Sequence, residues 1–518
     1  MTPRGWDVVV VGAGSAGAAF AARSAGRGKR VLLVEAGPDY RSADMPEAWR
    51  SPNPGRALLD PSAVEGFLWA GLDASRTERQ APAPYWRGRG VGGSSSINGQ
   101  IAIRPSVEDF EEWAAQGCAG WSPADVLPYF AELEDDEDYG NTPHHGRHGP
   151  IPVHRTPREL WGAVDEALCR AALAAGHSWA PDVNAPHATG VSPYPINSRA
   201  GRRVSVNDAY LEPARELESL TIRGGALVDR VLFAGHRAVG VSVLVNGAPA
   251  TVHADEIVLS AGAIHSPAIL LRSGLGPARD LRSLGIEVRQ DLPVGQGLQD
   301  HPLALVEVAV RPGPGETVDD RHTNVCVRYS SDAGPPRNDM MLVSLNRNVL
   351  AMADADAGSA LGGLGVWVNR CHSRGVLKLA SPDPAVQPEV RERMLSDERD
   401  LARLREGVRA LSALACGPEI AEISVRHPAE QNAELFAALD DDAKLGEYLL
   451  ATVSDAQHVT STCRMGDSGD PRTVVDPRCR VLGVEGLRVV DASIFPFVPS
   501  ANTHLTAVMT GELAADRE

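Results

Sequence analysis

Residues 7–37 read DVVVVGAGSAGAAFAARSAGRGKRVLLVEAG, and the fold turns on this stretch. Four valines in a row, residues 8–11, suit a strand covered on both faces, as in a parallel sheet. A tight Gly turn follows, then an Ala-rich helix, then a second apolar strand at 31–34. That is a βαβ unit of the length the dinucleotide fingerprint requires. Gly12 makes the turn, Gly14 lets a pyrophosphate reach the backbone, and Gly17 lets the helix close on the strand. The helix N-terminus aims its free N–H groups and its dipole at the phosphates. Glu35 ends the second strand, eighteen residues after Gly17, where a carboxylate can accept from both ribose hydroxyls and repel a 2′-phosphate. The stretch predicts dinucleotide binding. It does not separate FAD from NAD, which share the device.

Working outward, 518 residues with 43% hydrophobic content are enough for a large core and more than one domain. A net charge of −17 argues against nucleic acid and anionic membranes as partners. There is no apolar run long enough to span a bilayer and no secretory signal. Seven scattered cysteines without C-x-x-C pairs read as free thiols in a reducing cytoplasm, with no metal site.

Residues 87–105, RGRGVGGSSSINGQIAIRP, place six residues, small except Ile97, inside apolar sequence, which suits backbone lying against a flat ligand. Residues 107–134 predict a helix with Trp113, Trp121 and Tyr129 as packing anchors. Residues 135–149 read as a solvated loop, its histidines lacking acids or thiols at ligand spacing. A helix is expected at 160–175, a basic turn and a helix at 199–217, and a β-meander at 220–245. A short buried strand at 257–259 runs into SAGAIHSPAILLRSGLGP, with Ser266-Pro267 opening an apolar helix. Residues 303–449 change character: alternating stretches at 303–311 and 365–368 suggest an antiparallel sheet, and helices follow at 397–415 and near Leu435. The last seventy residues return to the style of the N-terminus, with an apolar strand at 486–490, a Pro-containing loop to Ser500 and a helix at 505–515.

The expected fold is α/β: a doubly wound, Rossmann-like domain from residues 1–155, 215–302 and 450–518, and a second domain from 156–214 and 303–449, mainly an antiparallel sheet flanked by helices.

Two segments carry candidate chemistry. AQHVTSTCRMG at 456–466 holds His458, and PSANTHLTAVM at 499–509 holds Asn502 at a helix start. Alcohol oxidation needs a base for the hydroxyl proton, and neutral imidazole suits that near pH 7. A carboxamide can orient the same oxygen, and a helix N-terminus can stabilise a reduced flavin. Each residue also has a plain structural reading, a packed histidine or a helix N-cap.

The chain resembles the glucose–methanol–choline (GMC) family of FAD-dependent oxidoreductases over nearly its whole length. The stretches behind this are GRGVGGSSSINGQIAIRP, GAIHSPAILLRSGLG, the loop PVGQGLQDHP and LRVVDASIFPFVPSANTHLTAVM. EDFEEWAAQGCAGWSPADVLPYF and HHGRHGPIPV are similar to members that oxidise furan and aryl alcohols. The resemblance implies oxidation of a primary or secondary alcohol to a carbonyl, with O2 or another acceptor reoxidising the cofactor. It implies His458 as base and Asn502 as its partner. Gly12, Gly14, Gly17 and Glu35 would hold the ADP half of FAD, and Val228 its adenine. Gly92, Gly93, Ser94, Asn98 and Gly99 would line the flavin, with Asp491, Ala492 and Thr503 at the pyrophosphate and pyrimidine end.

Ile97 stands where some members attach FAD through a histidine, which implies non-covalent FAD. Gln457 replaces a Trp of the furan-alcohol oxidases and Gln100 a Met, so a roomier, more polar pocket is expected, with Trp367 stacking on substrate or packed in the core. The competing readings are a dehydrogenase passing electrons to a quinone or redox peptide, an FAD-containing hydroxynitrile lyase with no net redox, and a light-driven fatty-acid decarboxylase.

Overall fold

The structure, a computed structural model, describes residues 5–517 apart from 59, 312–316, 318, 334–336 and 347–359. Its first sheet is built on Trp6–Val11. Val31–Val34 lies parallel on one side, Val9 opposite Leu32, and the end of Ala248–Leu259 lies parallel on the other, Val9 opposite Ile257. Leu220–Arg223 extends the sheet beyond Val31–Val34, and Leu487–Val489 pairs in parallel with residues 257–259. The valines at 8–11 are at most 4% exposed, as two covered faces demand. The helix Ser15–Gly26 packs on one face together with the last helix, Thr503–Asp516.

Three local expectations are corrected here. Residues 220–223 are not the first strand of the meander: Gly224-Gly225 breaks the chain, and the strand before it joins the parallel sheet while Ala226–Ala234, Arg237–Val245 and Ala248–Leu259 form the antiparallel ribbon. The apolar helix opens at Gly262, not at Ser266-Pro267, and runs to Arg272 with Pro267 inside it. Proline leaves the carbonyl four residues back without its helical donor, and that carbonyl, of Ala263, accepts the Thr462 hydroxyl at 2.7 Å instead. Residues 107–134 form two helices, Val107–Ala115 and Pro123–Glu132. Trp113 and Trp121 are fully buried and pack on each other, with Trp113 also against Phe495, as anchors should; Tyr129 is only partly buried.

The second sheet is antiparallel, in the order Ser454–Asp455, Pro302–Val310, Ala360–Val368, Met340–Leu345, Val325–Tyr329, Gly190–Pro193. Alternation sorts its side chains. Val306, Val308, Leu364 and Val366 pack beneath the helices Glu398–Ala415 and Ala163–Ala174. Leu303, Met341, Val343 and Trp367 face the other way, clustering with Ile101 and Tyr194. The protein is thus a Rossmann-like domain set against the open face of an antiparallel sheet. A small third sheet, in which Asp73–Ser75 pairs with Glu389–Arg391, links the halves.

Candidate active site

Between the domains lies one cavity of about 620 Å³. Gly12, Gly14 and Ser15 line it at the N-terminus of the first helix, and Glu35 and Val228 flank that end. Gly93, Ser94, Asn98, Gly99, Asp491, Ala492 and Thr503 line its middle, and His458, Asn502, Gln457 and Trp367 its far end. Among the expected residues, Gly17, Gly92 and Gln100 are not part of the lining. Gly17 acts one layer back: a Cβ there would lie 2.1 Å from the Gly12 carbonyl oxygen, so only glycine lets the helix approach the turn. Gly92, at φ +88°, turns the chain into the short Gly93–Ser96 helix.

Glu35 is buried, which raises its carboxyl, but three amides hold it: Ala13 N–H donates to Oε2, and Gly37 and Gly90 N–H donate to Oε1. A carboxylate oxygen accepts about two donors. Oε1 is therefore full, and Oε2 has room for one further donor rather than the pair foreseen for two ribose hydroxyls.

At the far end, His458 follows the short strand Ser454–Asp455, and Asn502 stands at the N-cap of Thr503–Asp516 without capping it. The Asn502 amide is turned instead to His458, Nδ2 to Nε2 at 3.0 Å. Burial, with the positive charge of Arg87, holds the His458 imidazole down to about 3. The ring is neutral across the physiological range, as a base must be. On its other side His458 Nδ1 meets His301 Nδ1 at 2.9 Å, and His301 Nε2 reaches the Asn369 carbonyl at 3.1 Å. Asp300 latches both residues by their backbones: Oδ1 accepts His301 N–H, and Oδ2 accepts His458 N–H, each at 2.7 Å.

His301 and Asp300 lie in the PVGQGLQDHP loop, whose sequence does not single them out as functional; an acid–histidine dipeptide in a glycine-rich turn is the available signal. Trp367 is stacked on His301 at 6.2 Å and edge-on to His458 at 6.1 Å, so it backs the histidine pair while lining the cavity.

Of the two glutamines expected to make the pocket polar, Gln457 lines the cavity and Gln100 does not. Gln100 is fully buried and donates to the Ser51 carbonyl, away from the cavity. Gln457 is spent within its surroundings, accepting from Arg87 at 2.8 Å and donating to Asp455 at 2.6 Å. Over the sheet, Leu303, Leu305, Val343, Leu345, Trp367 and Tyr194 make a mainly apolar floor, with His322 and Thr323 beside it.

The 135–149 loop is likewise not all solvated. His145 is buried, with Nδ1 2.8 Å from Glu134 and 3.2 Å from Asp136, and Nε2 2.9 Å from Asp182. Burial alone would lower this imidazole, but the Asp136, Asp182 and Glu134 bonds outweigh it and hold it up to about 10. Arg104 and Arg155 pair with the same carboxylates. With those cations present, the cluster is an ion-pair network rather than a vacant ligand set. At Asp300, His301 and His458, likewise, the side-chain atoms that could bind an ion already bond within the protein.

Family profiles described as GMC oxidoreductase match residues 6–303 and 371–511. The chain belongs to the GMC oxidoreductase family. It is 37% identical over its full length to the 5-(hydroxymethyl)furfural oxidase of Methylovorus sp. strain MP688, covering 99% of that protein. Human mitochondrial choline dehydrogenase is 34% identical, with 99% of this chain and 89% of that one aligned. The solved pyridoxine 4-oxidase from Mesorbium loti superposes with a TM-score of 0.88 at 29% identity, covering 99% of this chain and 98% of that one. The protein is therefore an FAD-dependent oxidoreductase acting on CH–OH groups.

Its residues fit that cofactor. A Cβ on Gly93 would lie 2.7 Å from Gly14 Cα, so the two glycine loops meet across a groove that side chains would fill; His504 Nε2, beside Ser15, and Asn502 Oδ1, at the far end, are buried without a protein partner. The cytoplasmic expectation is overturned: the human and mouse choline dehydrogenases, each 34% identical, are named mitochondrial. The seven cysteines are free thiols, and that does not name a compartment. No helix among the described residues is long and apolar enough to cross a membrane.

Proposed function

We propose that this enzyme oxidises a neutral primary or secondary alcohol with an apolar or aromatic body. FAD, bound non-covalently, would supply the two-electron acceptor. His458 Nε2 takes the hydroxyl proton and Asn502 Nδ2 donates to the same oxygen, fixing the carbon that loses hydride. The carrying observation is the His458–Asn502 contact at the cavity end, with an imidazole that burial keeps unprotonated. Gly12, Gly14, Gly17, Glu35 and Val228 serve the ADP half, and Gly92, Gly93, Ser94, Asn98, Gly99, Asp491, Ala492 and Thr503 the rest. Ile97 lines the cavity and offers no nucleophile for a covalent link. Residues 1–155, 215–302 and 450–518 would make the cofactor domain, and 156–214 and 303–449 the substrate domain.

The apolar floor carries the substrate class, and ring-bearing hydroxymethyl compounds of the kind named in two relatives fit it better than a cation. Oxygen is the favoured electron acceptor, because two of those relatives are named oxidases. The test is anaerobic mixing with alcohols and following flavin bleaching, then admitting air and measuring peroxide. Bleaching by an aryl alcohol with peroxide release is expected. Bleaching without reoxidation in air would make the protein a dehydrogenase, and absence of bleaching by any alcohol would remove the alcohol reading. In His458→Ala, kcat should fall at least about a hundredfold with FAD retained.

A further inference from the structure

We infer that His301 is a positioning residue that fixes the tautomer of His458. The inference rests on the reading of His458 as base. It follows from counting hydrogens along a buried chain. The Asn369 carbonyl can only accept, so His301 Nε2, at 3.1 Å, carries the hydrogen. The carbonyl of Pro499 is a second acceptor for this ring. A neutral imidazole has one N–H, and His301, fully buried, is held neutral. Its Nδ1 is therefore a lone pair. His458 Nδ1, 2.9 Å away, must donate to it. That leaves the His458 lone pair on Nε2, the nitrogen facing Asn502 and the cavity.

Without an acceptor at residue 301, His458 could place its hydrogen on Nε2 and bond the Asn502 oxygen, which has no other protein partner. In that state the ring presents no lone pair to the substrate hydroxyl. The device differs from a carboxylate behind a histidine. A neutral imidazole orients the base without adding negative charge, which agrees with a His458 imidazole held low rather than raised. When His458 takes the hydroxyl proton on Nε2, its Nδ1–H still donates to His301, so the proton stays on His458 and none passes on to His301. Asp300 sets the geometry by bonding both peptide N–H groups.

The experiment compares His301→Leu, which removes the acceptor, with His301→Asn, whose side-chain oxygen can take the place of Nδ1. Both are purified with FAD and assayed beside His458→Ala. Expected is a kcat loss on the order of a hundredfold in His301→Leu, with KM changed less than about threefold and FAD content and melting temperature near those of the parent. His301→Asn should regain most of that loss. In 15N-histidine spectra of the parent, His458 Nε2 should show the shift of an unprotonated nitrogen, which settles the tautomer even if the leucine variant does not fold. Equal kcat in His301→Leu and the parent at full FAD occupancy, an asparagine variant as slow as the leucine one, or a protonated Nε2 in the parent would each overturn the inference. Full activity in His458→Ala would instead overturn the base assignment on which it rests.

Discussion

Replacing His145 by glutamine keeps the size and one donor but removes a charge that the structure places among three carboxylates. The pKa of this imidazole is about 10 in the fold against an ordinary 6.5. A pKa raised by folding stabilises the native state fully below the unfolded value, and that stability disappears as pH rises through the folded value. Linkage gives about 4 kcal/mol lost between pH 6.5 and 10. For a chain of 518 residues, the usual unfolding entropy per residue makes about 1 kcal/mol worth about 1 °C. The parent should therefore melt about 4 °C further above the His145→Gln variant at pH 6.5 than at pH 10. Other titrating groups cancel in the difference, provided Glu134, Asp136, Asp182, Arg104 and Arg155 are unchanged. Melting curves of both proteins, loaded with FAD, at pH 6.5, 8 and 10 supply the measurement. A gap that is the same at every pH would mean that His145 is not charged in the fold, and the ion-pair account of the cluster would be wrong.

Other expectations are quicker to test. Because burial and Arg87 hold His458 down to about 3, kcat/KM should be flat from pH 5 to 8; an acidic limb near 6.5 in the rate profile would contradict it. Asp109 accepts both the backbone N–H and the hydroxyl of Ser500, at 2.6 and 2.7 Å, and pairs with Arg370. Asp109→Ala should loosen the turn ahead of Asn502 and lower kcat about tenfold by steady-state kinetics, alongside a melting temperature a few degrees lower, because buried Arg370 loses one of its two carboxylates and keeps Glu112. Gly17→Ala would push a methyl to 2.1 Å from the Gly12 carbonyl. It should destabilise by about 1–3 kcal/mol and show as lower FAD occupancy in the absorbance ratio of purified protein.

The nucleotide half was legible because its information is local. Strand, turn, helix and acid lie within residues 7–35, and each glycine has a reason to be there that its neighbours state. The antiparallel sheet was legible from alternation at 303–311. What sequence left hidden depends on partners far along the chain. His301 and His458 are 157 residues apart, so nothing around either one marks the other. Asn502 had two readings on residue type, and only its contact with His458, in place of a capping bond, chooses between them. Gln100 misled because an amide looks polar wherever it stands; its side chain donates to the Ser51 carbonyl, outside the cavity lining. His145 looked solvated because the acids around it come from a strand and a distant loop.

The strand Ala248–Leu259 serves two sheets: its first half pairs with the ribbon, and its last residues carry Trp6–Val11 on one edge and Leu487–Val489 on the other. During synthesis, residues 257–259 leave the ribosome long before 487–489 exist, so one edge stays exposed while about half of the protein is still being made. Translation must pass residue 489 before that seam closes, and with it the floor under the cofactor. Cofactor capture is accordingly a late step, and chains truncated before Leu487 should accumulate as colourless material prone to edge-to-edge association.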